Sequence, residues 1–111
     1  MNREEIISGF EKMYFQNDYW TISAIKNDLQ NRKTIDLNNS FLGRRSNNLY
    51  EKRRIYEQTF DDWKNALHHA NSELEQLRKD NPKDISAITL YARCGICLKQ
   101  IDALISTLRD F

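Results

Sequence analysis

The sequence predicts an all-α chain: a helical bundle built on a long antiparallel helical hairpin, with two shorter helices before it. Three observations predict it. The 111 residues include only three glycines and one proline, too few for the many turns of a sandwich or barrel. Leu49, Tyr56, Phe60, Trp63, Leu67, Ala70, Leu74 and Leu77 follow a heptad-type spacing, which predicts a long helix with coiled-coil-like packing. Only Asn81-Pro82-Lys83-Asp84 separates that helix from a second long apolar-periodic stretch, and so short a connection makes the two antiparallel neighbours.

The first helix is expected over about residues 3–15. Asn2 suits its cap and Glu4 and Glu5 its positive end. Ile6, Ile7, Phe10, Met13 and Tyr14 share one face. Gln16-Asn17-Asp18 reads as a break. The second helix is expected over about 21–33, capped by Thr21, with a narrow stripe of Ile22, Ile25 and Leu29. Tyr19 and Trp20 stand as anchors of the turn before it.

Residues 34–46 admit two readings. Asp36 caps a further helix running through Gly43, or the stretch is a loop or kink, since glycine inside a helix costs about 1 kcal/mol against alanine. The third helix is expected over about 46–80, on the order of 50 Å long at helical rise. The fourth spans about 82–110, with Asn81 as cap and Pro82 at its first position.

The fourth helix carries two apolar stripes. At 100° per residue, one broad face collects Ala87, Leu90, Tyr91, Cys94, Cys97, Leu98, Ile101, Leu104, Ile105 and Leu108. Ile85, Ile88, Ala92, Ile96 and Ala103 lie nearly opposite. A helix with two apolar stripes needs a partner on each. The third helix covers one. The other is covered either by the first two helices or by a second protein chain, as a homodimer or a bound target.

The totals point to one domain, residues 1–111, folded and water-soluble, with 40% hydrophobic and 30% charged residues. A net charge of +1 gives no overall field toward nucleic acid or an anionic membrane. The polar start, Met1-Asn2-Arg3-Glu4-Glu5, is not followed by an apolar run, so no signal peptide is expected and a cytoplasmic location is. No run nears the ~20 apolar residues of a membrane span.

Cys94-Gly95-Ile96-Cys97 has redox-motif spacing, but redox cysteines sit at helix N-termini, where the dipole lowers the thiol pKa. Both of these fall mid-helix on the apolar face, which suits inert core cysteines. A metal or redox role for Cys94 and Cys97, with His68 or His69 as further ligands, stays open as a third reading. The two histidines are adjacent, so they point apart, and both lie outside the seam. Arg44, Arg45, Lys52, Arg53 and Arg54 form a local basic cluster suited to phosphate contact. Glu51, Glu57, Asp61 and Asp62 are interleaved or follow, which suits a solvated face. No glycine-rich phosphate loop, Ser-His-Asp set or H-E-x-x-H motif is present, so neither an enzyme nor a cofactor is expected.

Phe41-Leu42-Gly43 between helical segments resembles the W-x-G turn of the small secreted helical-hairpin family named for that motif. The resemblance covers three residues. The break at 16–18 and the complete helix after Pro82 depart from it, and no function is carried over.

The function expected is a non-enzymatic helical protein–protein interaction module of the adaptor, inhibitor, immunity-protein or chaperone type. It binds a partner, or itself, through Ile85, Ile88, Ala92 and Ile96, with Trp20 or Phe41 as aromatic anchors. The alternative is a nucleic-acid-binding regulator using residues 44–54.

Overall fold

The computed structural model describes residues 1–111 and is all-helical: α1 (Arg3–Gln16), a short 3-10 turn (Asp18–Trp20), α2 (Ile22–Phe41), α3 (Asn48–Asp80) and α4 (Ile85–Leu108). No helix is long and apolar enough to cross a membrane.

Local chemistry sets each helix start. Asn2 Oδ1 accepts the Glu5 amide at 2.8 Å, starting α1. Asn17 then turns extended and accepts from the Tyr19 amide at 3.0 Å, which closes the 3-10 turn. Thr21 Oγ1 accepts the Ala24 amide at 3.1 Å. Each cap satisfies an amide that has no acceptor inside its own helix.

α2 runs eight residues beyond the expected end at Lys33, to Phe41. The stretch Thr34–Phe41 contains no glycine or proline, so nothing stops the helix there. Gly43 stops it. At φ +76° it occupies the left-handed position just past the helix, where a side chain would be strained. Its amide donates to Ser40 O at 3.0 Å and the Arg44 amide to Asn39 O at 2.7 Å, the paired bonds of a Schellman ending.

Asp36 is a cap, but not of the helix that the sequence suggests. It sits inside α2, and its carboxylate accepts the Asn48 and Leu49 amides at 3.0 and 2.9 Å, capping α3 from another helix. Asn47, the residue before α3, makes no side-chain cap bond. α4 begins at Ile85, three residues later than expected. Asp84 caps it by accepting from the Ala87 amide at 3.2 Å, and Asn81-Pro82-Lys83 form the turn. The Asp84 amide donates to Asn81 O at 3.1 Å, which holds the connection tight.

α3 and α4 pack most extensively. Leu67 O accepts from Cys94 Sγ at 3.3 Å, Lys64 pairs with Asp102 at 2.9 Å, and the Arg78 guanidinium lies 4.4 Å from the Tyr91 ring centre. All eight expected seam residues of α3, and the ten on the broad face of α4, are buried or half-buried.

α1 packs against α3 and α4 through Ile6, Ile7 and Phe10, and α2 through Ile25 and Leu29. At Gly9 the missing side chain matters, because a Cβ there would stand 3.3 Å from the Trp63 ring. The Phe10 ring meets the same indole edge-on, with centroids 5.7 Å apart. Fourteen buried residues from all four helices form one cluster. The molecule measures 64 × 21 × 20 Å and buries only 16 of its 111 residues. A rod this thin leaves long helix faces in solvent.

Candidate functional site

The second stripe of α4 is one of those faces. Ile85, Ile88 and Ile96 are 77%, 41% and 52% exposed, and Ala92 between them is exposed as well. The first reading, that the two N-terminal helices cover this stripe, is therefore overturned. The reason lies in how α1 is held. Arg93, one residue off the stripe, donates Nε to Glu11 Oε2 at 3.2 Å and Nη2 to Ser8 Oγ at 3.4 Å, with a second short contact to Glu11 Oε1. This clip fixes α1 along the edge of the stripe rather than over it. α2 lies farther along, and its Ile25 and Leu29 enter the core instead.

The stripe has charged ends. Glu4 lines one shallow depression with Ile85, Ser86, Thr89, Leu90 and Arg93, and Asp84 caps the helix there. Lys99, a helical step beyond Ile96, is exposed and takes part in none of the chain's ion pairs. Glu4 and Lys99 escape sequence reading because they extend a stripe defined by its apolar members. The spacing of Lys99, three residues after Ile96, is the signal that places it there.

The two expected anchors do not join this site. Trp20 is half-buried and its ring meets Phe60 edge-on at 5.5 Å, so it is an intramolecular anchor. Phe41 is 92% exposed, but it stands at the end of α2 beside the α2–α3 turn. Ile85 follows the far end of α3, roughly 50 Å away along a helix of that length. Leu37 and Leu42 near Phe41 are also exposed. That second apolar area ends at the polar turn 43–47.

The basic cluster is split. Arg44 and Arg45 are exposed in the turn. Lys52, Arg53 and Arg54 are successive residues of α3 and so leave the helix about 100° apart. The Lys52 ammonium lies 5.1 Å from the Tyr56 ring centre, Arg53 is half-buried, and Arg54 is exposed. They do not converge on one phosphate-sized point.

The cysteines and histidines are also kept apart. Cys94 and Cys97 are free thiols, both buried. Burial pushes the Cys94 thiol up to about 11. Burial, then the nearby Glu11 carboxylate, push Cys97 up to about 12. Such thiols are poor nucleophiles and poor ligands. His68 and His69 are exposed, and His69 Nε2 faces Glu73 at 3.1 Å. No three His, Cys, Asp or Glu side chains gather where one ion would sit.

The most strongly shifted hydroxyl, Tyr56, is likewise internal. Burial and then Asp28, which accepts its OH at 2.7 Å, raise its pKa. The Tyr56–Asp28 bond ties α3 to α2, and within α2 Arg32 Nε donates to the same carboxylate at 2.9 Å. No protein-family model, curated protein or solved structure matches this chain.

Proposed function

We propose that the chain is a non-enzymatic helical interaction module that binds another protein chain through the outer face of α4. The observation that carries this reading is the exposure of Ile85, Ile88 and Ile96 on one face of a helix whose other face is core. An apolar stripe held open to water costs solubility and is retained where a partner covers it. An antiparallel, coiled-coil-like pairing of α3 and α4 gives the face its rigidity. The contacts of Arg78 with Tyr91, Leu67 with Cys94 and Lys64 with Asp102 support that pairing, since numbers fall along one helix as they rise along the other. A rigid helix face presents its side chains with little ordering cost on binding.

The absence of catalysis is supported by the kind of shifted groups present. Tyr56, Cys94 and Cys97 are shifted chiefly by burial, and the other shifted groups, Asp28, Asp36 and Arg93, are each tied by hydrogen bonds to side chains of the same chain. A cytoplasmic setting is supported by the two free thiols, since such thiols persist in reducing compartments.

The test is Ile88→Asp. The expected result is an unchanged thermal melt with loss of whatever chain, own or foreign, the wild type retains in concentrated salt. Apolar association survives such salt, whereas the phosphate contacts of the alternative nucleic-acid reading weaken steeply in it. Equal retention by wild type and variant would remove the stripe from the function. Unfolding of the variant would make the stripe internal core.

A further inference from the structure

The exposed stripe has a spacing that its own copy can meet. Its members, Ile85, Ile88, Ala92, Ile96 and Lys99, are spaced three, four, four and three residues apart. The spacing is the same in both directions about Ala92, with Ile88 mirrored by Ile96 and Ile85 by Lys99. Thr89 and Gly95, which flank the stripe, are likewise placed three residues on either side of Ala92. In an antiparallel contact about a twofold axis at Ala92, a residue a given number of positions before Ala92 meets the one the same number after it, so this spacing sets stripe positions opposite stripe positions. The residue at the centre is small, and Gly95 beside it has open space where a Cβ would stand, so two helix backbones can approach closely there.

The charges agree with this. At the Ile85 end stand the carboxylates of Glu4 and Asp84 against the Lys83 ammonium, while the Arg93 guanidinium of the same depression is already paired with Glu11. At the other end stands Lys99, exposed and without an intrachain partner. The neighbouring carboxylate, Asp102, is already paired with Lys64 at 2.9 Å. The stripe is thus acidic at one end and basic at the other. Antiparallel pairing sets unlike ends together twice, and parallel pairing sets like ends together.

We infer that the occupant of this face is a second copy of the same chain, docked antiparallel with the twofold axis at Ala92, so that Ile88 of one copy meets Ile96 of the other and Lys99 of each reaches Glu4 and Asp84 of its mate. This rests on the reading of α4 as an interaction face and names its partner. The stripe is the outer face of one helix, indented by the shallow depression beside Ile85. The apolar part spans roughly 17 Å of helix at helical rise. A patch so short belongs with small, reversible interfaces, and dissociation in about the micromolar to millimolar range is expected.

The experiment is sedimentation of the full chain from about 10 µM to about 1 mM, a range set by that interface size. The expected result is a mass rising from one chain toward two. Four variants at exposed positions, which leave the core untouched, fix the register. Ala92→Cys places a thiol on the axis and is expected to give a disulfide-linked dimer on mild oxidation, while Ser72→Cys on α3 does not. Lys99→Glu is expected to weaken the dimer about five- to tenfold, because two ion pairs become repulsions. Adding Glu4→Lys is expected to restore it. A chain that stays single throughout, a disulfide forming in Ala92→Cys no faster than in the Ser72→Cys control, or a dimer indifferent to Lys99→Glu overturns the proposal. A single chain that still binds a foreign protein through Ile88 overturns only the second copy as occupant. Loss of fold in Ile88→Asp overturns the interaction face itself.

Discussion

The two ends of α3 are held by different forces. From Phe60 to Leu74 the helix is clamped by burial: Phe60, Leu67, Ala70 and Leu74 have no solvent exposure, with α1 and α4 both packed on them. From Asn48 to Ile55 no residue is buried, and Ile55 is 58% exposed. What fixes that end is polar. Asp36 accepts two α3 amides and the Ser46 hydroxyl, and Ser46 Oγ in turn accepts from the Asn39 and Asn48 side-chain amides at 3.3 and 2.9 Å. Burial is non-directional and roughly additive in area. The polar lock is directional, local and open to water. The same helix should therefore fail in two ways, globally at one end and by fraying at the other.

The largest effect is expected in the clamped half. Leu67 is fully buried at the centre of the α3–α4 contact, and the cavity left by Leu67→Ala should lower stability by about 2–5 kcal/mol. Chemical denaturation followed by circular dichroism reads it as one cooperative transition shifted to lower denaturant. An unchanged midpoint would mean that the clamp does not hold the fold.

A smaller and local effect is expected at the other end. Asp36→Ala removes both accepted amide bonds and the Ser46 contact while leaving the buried cluster alone. Hydrogen exchange should quicken at the amides of Asn48 and Leu49 and stay slow around Leu67. Equal loss of protection along the whole of α3 would erase the distinction between its ends.

The two ends also differ in how far they could be read from the sequence. The clamped half was legible because its cause is periodic. A heptad repeat in α3 and a broad apolar face in α4 state directly which side is core, and every residue on those faces is buried or half-buried. The polar end was not legible, because Asp36 and Leu49 are thirteen positions apart and no periodicity links them. Asp36 looked like a helix start, and it is one, for a helix other than its own. The length of α2 was legible in principle from the run without breakers up to Gly43. The open stripe of α4 was legible as apolar, but whether α1 covered it depended on the Arg93–Glu11 clip, whose members lie on different helices.

The subtlest expected difference is in acid. The hydroxyl of Ser46, followed by the Leu49 amide, stabilises the charged form of Asp36 and holds its carboxyl below the ordinary value of 3.8. Its partners in the folded chain favour ionisation, so its contribution is present above 3.8 and is lost as pH falls through the lowered folded value. Asp28 follows the same sign: burial opposes its charge, but the Tyr56 hydroxyl and Arg32 outweigh that and lower its pKa. Both lie on α2 and face the N-terminal part of α3. From neutral pH down to about 4, the two ends of α3 should keep their exchange protection alike, since aspartates remain ionised there. Below that, the Asn48 and Leu49 amides should open first while the Leu67 region holds. Asp36→Asn, which cannot titrate, should remove the Asp36 share of this acid step. If the acid step is just as large in Asp36→Asn, a carboxylate elsewhere governs it, and the polar lock is not what holds that end of α3.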